Sequence, residues 1–230
     1  MENIIQSFSL NGKRSLVTGA SKGIGASTAQ ILAEAGSDVV ITGRDLEGLK
    51  ETQENIESLG RKCLVIEADL SLENEANKVA DKALGVFGTI DILVNNAGTA
   101  LLENILSTSN EDWDKVQSVN LKTPFILAKL IAPNMIKQKS GKIVNISSVA
   151  SEFALQDHIA YSVSKSGLNM LTKSMTVEWA KHNIQTNSVC PTIIMTTMGK
   201  LAWGDPQKSD PMLAKIPVSY THLRAHETRT

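Results

Sequence analysis

The chain has little cysteine, almost no net charge and no long apolar run. Its 230 residues contain two cysteines, Cys63 and Cys190, far apart and each in a strand-like run. That placement argues against a disulfide framework or a metal site, so the expectation is two reduced, buried thiols and no metal. A cytoplasmic location fits this usage, with an organelle left open. Lys and Arg total 23 against 24 Asp and Glu, a formal charge of −1, and no basic stretch stands out. Nucleic acid and anionic membrane surfaces are therefore poor candidates as partners. No run approaches the ~20 apolar residues of a membrane-spanning helix, and the Met1-Glu-Asn start has neither the basic nor the apolar region of a signal peptide. Repeats, low-complexity segments and linkers are absent too.

What is present is alternation. Short β-rich runs (Ser15–Thr18, Asp38–Thr42, Lys62–Ile66, Asp91–Val94, Lys142–Ile146, Thr186–Cys190) are separated by segments of helical period such as Ser27–Ala35, Leu46–Leu59 and Glu73–Phe87. The length suits a single large α/β domain. Strand–helix alternation predicts a parallel sheet covered on both faces, and right-handed crossovers favour a doubly wound, Rossmann-type arrangement. The last residues break the pattern. From Val218 to Thr230 neither period survives, and the string resembles one frame of a sequencing-library transposase adapter. The expectation is a dinucleotide-binding domain over 1–217 and a non-native tail over 218–230, in which His222 and His226 are not a metal pair.

Thr18-Gly-Ala-Ser-Lys-Gly-Ile-Gly25 follows the first strand and opens a helix, the context a dinucleotide fingerprint requires. Gly19 permits the tight turn, Gly23 lets backbone approach a pyrophosphate, and Gly25 allows close helix–strand packing. Ser21, Lys22 and Ile24 complete the loop, and the helix N-terminus adds unpaired N–H groups. At the end of the second strand an acid would accept from the adenosine ribose hydroxyls. Thr42-Gly43-Arg44 stands there instead. Arg44 and Lys22 can clamp a 2′-phosphate, which favours NADP(H); alternatively Asp45 pairs with Arg44 and neither meets cofactor. Asp69, closing the third strand, suits the adenine amino group.

Asn95-Asn-Ala-Gly98 ends the fourth strand, small enough for backbone to approach the cofactor sugar; Asn95 and Ala97 are cofactor candidates, with a plain turn as the alternative. Tyr161-Ser-Val-Ser-Lys165 sets a phenol and an ammonium one helical turn apart, on one face. Ser147-Ser148 ends a separate apolar run. A hydroxyl from there, meeting the pair, makes a trio able to protonate a carbonyl oxygen while hydride arrives at its carbon.

From Leu10 to Pro217 these residues resemble the short-chain dehydrogenase/reductase family. The resemblance rests on the glycine loop, Asn95-Asn-Ala-Gly98, Asn120, Ser148, and Tyr161 with Lys165, with Ser148 thirteen positions before Tyr161. It implies Tyr161 as general acid/base, Ser148 as donor to the substrate oxygen, Lys165 on the nicotinamide ribose and Asn120 holding a water in the proton relay. It also implies a homo-oligomer, dimer or tetramer, completed by a further helix, a seventh strand and a C-terminal segment. The chain as written is therefore expected to be poorly soluble or inactive. The physical logic runs in parallel: a free tyrosine titrates near pKa ~10 and is a sluggish base at neutral pH. The Lys165 ammonium and the cofactor's positive charge are expected to pull it down. Ser148 meets oxygen as it gains charge, a role worth ~2–4 kcal/mol in barrier.

After the sixth strand the family pattern Asn-x-x-x-Pro-Gly is replaced by Asn187-Ser-Val-Cys-Pro191-Thr192. That departure, with Trp203-Gly-Asp-Pro206, Met212–Pro217 and His158, resembles the L-xylulose (dicarbonyl) reductase branch. There Leu155, His158 and Trp203 would face the substrate. Alternatively His158 caps the helix carrying Tyr161 and Trp203 is core. The resemblance implies reduction of a small ketone, ketose or dicarbonyl, or oxidation of the matching alcohol. A 3-oxoacyl-thioester reductase and a catalytically silent NADP-binding sensor are the rival readings.

Overall fold

The computed structural model describes residues 8–214. The expected tail over 218–230, with His222 and His226, and the missing-segment expectation tied to it lie outside the described residues. Within them run β1 (Arg14–Thr18), α1 (Gly23–Glu34), β2 (Asp38–Gly43), α2 (Leu46–Ser58), β3 (Cys63–Glu67), α3 (Glu73–Phe87) and β4 (Ile92–Asn95). Then come α4 (Asn110–Gln117), α5 (Thr123–Gln138), β5 (Gly141–Ile146), α6 (Ile159–Trp179), β6 (Ile184–Val189), α7 (Thr197–Trp203) and α8 (Pro206–Leu213). A π-turn over Ser118–Lys122 joins α4 to α5.

All pairings are parallel, in the order β3-β2-β1-β4-β5-β6. The chain builds outward from β1 to β3, then returns to β4 on β1's other side and builds outward again. That reversal opens a crevice beyond the carboxyl ends of β1 and β4, where doubly wound sheets bind ligands. Period-2 alternation explains the two cores. Leu16, Val40, Leu93 and Ile143 meet Val79 and Ala83 of α3 and Leu127 and Ile131 of α5, all buried on one face. Val17, Ile41 and Val94 meet Ala29 and Ala33 of α1 and Leu49 and Ile56 of α2 on the other. Runs apolar on both faces are what a covered parallel sheet needs.

The thiol expectation is corrected. Cys190 is exposed and Cys63 only half-buried, both free. Each sits at an outer strand of the sheet, Cys63 opening β3 and Cys190 just past β6, where one flank has no neighbouring strand among the described residues. Also among the described residues, no helix is long and apolar enough to cross a membrane, and no His/Cys/Asp/Glu group could hold a metal ion.

Candidate active site

One cavity of about 600 Å³ fills the crevice and runs from the glycine loop to Tyr161. At its floor, Gly19 has φ +65°, and a Cβ there would come within 2.8 Å of the Ala97 Cα. A Cβ on Gly25 would sit 2.3 Å from the Gly19 carbonyl oxygen, so helix α1 can lie this close to β1 only without a side chain. Gly25 accordingly packs behind the loop, while Gly19, Ser21, Lys22, Gly23 and Ile24 line the cavity. No side chain caps α1 and its first turn carries no acid. Its leading N–H groups are therefore open to an anion. By contrast, Asp45 caps α2 by accepting from the Gly48 N–H at 3.1 Å.

Two ion pairs stand at the adenosine end of this cavity. Lys22 Nζ lies 3.7 Å from Asp45 Oδ2, and Arg44 Nη1 lies 3.9 Å from Asp69 Oδ2. Asp45 thus partners Lys22, and the Asp45–Arg44 pairing weighed from sequence does not form. Asp69 also accepts from the Ser71 N–H and hydroxyl through Oδ1. Its own slight burial works against ionisation, but these bonds with Arg44 and Lys115 nearby hold its carboxyl below the usual range. Lys115, from α4, lines the same wall. Sequence reading missed it because an exposed lysine on an amphipathic helix carries no local signal.

The Asn95 side chain does not line the cavity, which leaves only its backbone for the cofactor sugar. It donates to Asn145 Oδ1 at 2.8 Å inside the sheet, because strand alternation turns it away from the crevice. Asn96, Ala97 and Gly98 form the wall instead. Asn96 Nδ2 donates to the Thr18 and Gly19 carbonyls, and Thr18 Oγ1 accepts from the Asn96 and Ala97 N–H groups, locking the β4 end to the glycine loop.

At the other end, Lys165 Nζ sits 5.7 Å from the Tyr161 ring centroid and donates to the Ile146 carbonyl at 2.7 Å. The Ser148 hydroxyl faces the Tyr161 phenol and favours its ionised form. The three groups predicted to converge do so, brought from the end of β5 and from one face of α6. Lys165 is buried and Tyr161 partly so. Burial lowers the Lys165 ammonium to about 8 and pushes the Tyr161 phenol above its ordinary value, against the opposing Ser148 hydroxyl. The expected downward shift of Tyr161 is thus reversed within this chain: desolvation disfavours phenolate more than Ser148 favours it.

Asn120 is fully buried in the π-turn. Its amide donates to the Thr99 carbonyl at 2.9 Å and the Ser164 hydroxyl at 3.0 Å, and its oxygen accepts from the Thr99 N–H. The side chain therefore fixes the loop after β4 against α6. Leu155, His158 and Trp203 all line the cavity. His158 stacks on Trp203 with ring centroids 6.2 Å apart and meets Tyr161 edge-on at 6.3 Å. It occupies the N-cap position of α6 but makes no side-chain cap bond; its Nδ1 lies 2.6 Å from the Gln156 carbonyl oxygen.

A short-chain dehydrogenase family model matches residues 13–206. The chain belongs to the short-chain dehydrogenase family. Two relatives place it in that family's L-xylulose reductase-like branch. It is 41% identical to L-xylulose reductase from Bos taurus over 210 residues, covering 91% of this chain and 83% of the relative. It is also 41% identical to D-erythrulose reductase from Gallus gallus over 212 residues, 92% and 83% of the two chains. A solved gluconate 5-dehydrogenase from Burkholderia cenocepacia J2315, in complex with NADP and tartrate, superposes with a TM-score of 0.85 at 33% identity, over 92% of this chain and 83% of that one. As a short-chain dehydrogenase, the chain has the Rossmann-type sheet and the oxidoreductase class its residues predicted.

Proposed function

We propose that this chain is an NADPH-dependent carbonyl reductase, acting reversibly on a small ketone, ketose or dicarbonyl and the corresponding alcohol. The observation that carries the reading is one cavity with Lys22 and Arg44 at one end and Ser148, Tyr161 and Lys165 at the other. The chain's residues fit a dinucleotide: the uncapped start of α1 and the side-chain-free floor at Gly19 suit a pyrophosphate. Lys22 and Arg44 suit a 2′-phosphate, and Asp69 an adenine amino group. When bound, the nicotinamide supplies the hydride. The protein's own work is to orient the carbonyl and move one proton. Ser148 donates to the substrate oxygen as charge develops on it. Tyr161, kept protonated by burial, gives that oxygen its proton. Lys165 adds positive charge beside the phenol and binds the nicotinamide ribose. Asn120 holds the loop at 99 against α6. Leu155, His158 and Trp203 shape the substrate end, where the imidazole suits a polyol hydroxyl and the indole an apolar edge. The two distant, free cysteines accord with a reducing cytoplasm.

The chain also pairs with a second copy of itself in this reading. Val163, Met170 and Val177 recur at seven-residue spacing on α6, exposed at 42%, 60% and 84%, with exposed Phe125 on the neighbouring α5. Such a stripe suits a self-complementary contact.

Steady-state NADPH oxidation against diacetyl, L-xylulose, a steroid ketone and an acetoacetyl thioester tests the substrate class. Turnover of diacetyl or L-xylulose would support the assignment and would contradict the inactivity expected of the chain as written. Preference for the thioester would move the assignment to 3-oxoacyl-thioester reduction, and tight NADPH binding with no turnover of any carbonyl would point to a silent sensor.

A further inference from the structure

We infer that Asp45 is a specificity-determining residue of the cofactor site, acting as a brake on NADPH relative to NADH; the inference rests on the dinucleotide reading above. The cavity's adenosine end holds three cations, Lys22, Arg44 and Lys115, and two carboxylates, Asp45 and Asp69. The local balance is therefore one positive charge. The two acids are not equivalent. Asp69 is committed to Ser71 through Oδ1 and faces Arg44 from the end of β3, where it is suited to the adenine amino group. Asp45 directly follows Arg44 and lines the cavity, with Oδ1 taken by the Gly48 N–H and Oδ2 turned toward Lys22. A 2′-phosphate brought between Lys22 and Arg44 meets that carboxylate at close range. It must draw Lys22 from Asp45 while being repelled by it. NADH, with only hydroxyls there, meets neither cost. Like-charge juxtaposition that penalises one ligand and spares another is how specificity is tuned. The pairs are about half exposed, so the effect is modest and weakens with salt.

The test is direct titration of NADPH and NADH by fluorescence, at low and at 0.5 M salt, into the unmutated chain, Asp45→Asn and Asp45→Ser. Asparagine and serine both cap helices, so α2 keeps its start while the charge goes. Both variants are expected to bind NADPH about 3- to 10-fold more tightly at low salt with NADH within about twofold, and the gain should shrink at high salt. Unchanged or weaker NADPH binding in both variants would overturn the inference, as would equal tightening for the two cofactors. Tightening in Asp45→Asn alone would also overturn it, since that points to an added amide bond in place of lost repulsion. If neither dinucleotide binds the unmutated chain, the cofactor reading itself fails.

Discussion

The two ends of the cavity obey different electrostatics. At the adenosine end, side chains of the ion pairs are 40–63% exposed and their separations are 3.7–3.9 Å. Water screens them, and each is worth little alone. At the catalytic end Lys165 is 3% and Ser148 9% exposed. There burial moves pKa values further than any neighbouring charge does. On the function proposed above, recognition rests on several weak, replaceable contacts, whereas the proton step rests on a few desolvated groups, each hard to replace.

That contrast predicts unequal mutations. Tyr161→Phe removes only the hydroxyl while the ring still packs; carbonyl reduction should fall by ~10²–10⁴, the range of general acid–base catalysis. NADPH binding should hold within about twofold. Lys165→Ala should weaken both binding and turnover, since one ammonium serves both, and this is read by comparing Kd with kcat. Arg44→Ala should weaken NADPH by about tenfold and leave NADH nearly unchanged, the lower end of a charge-assisted bond's worth because the site is exposed. A larger loss would mean that the adenosine end is better shielded than its exposure implies.

The smallest effect is on stability. The folded Lys165 pKa of about 8 lies below its unfolded value of 10.5. Above pH 8 the unfolded chain therefore binds the extra proton, and stability rises with pH. Cys63 acts the other way: burial raises its thiol from 9.0 to about 12, so stability falls above pH 9. Tyr161, raised above 10.0, adds to the fall beyond pH 10. A gain of about 1 kcal/mol from Lys165 is expected between pH 8 and 9, partly offset by Cys63, and Lys165→Met should abolish it in urea titrations.

Much of this was legible in the residues. Alternating apolar runs predicted the doubly wound sheet because burial on both faces leaves a pattern, and the glycine loop, Ser148, Tyr161 and Lys165 were legible because backbone geometry fixes their spacing. What escaped depended on direction and depth. Asn95 sits in the predicted motif, yet strand alternation turns its side chain into the sheet. The pairing of Asp45 with Lys22, in place of its neighbour Arg44, follows from where the glycine loop crosses the end of β2. The upward shift of Tyr161 required knowing how deeply the phenol is buried, which no spacing encodes.

The most direct measurement of the two-ended cavity is a paired one, NADPH affinity and carbonyl turnover on the same preparations of Tyr161→Phe and Arg44→Ala. Opposite signatures are expected: Tyr161→Phe binds NADPH normally and does not turn over, whereas Arg44→Ala binds it weakly yet regains near-normal kcat at saturating NADPH. Substantial reduction by Tyr161→Phe, free of host enzymes, or a parallel loss of binding and turnover in both variants, would contradict that expectation.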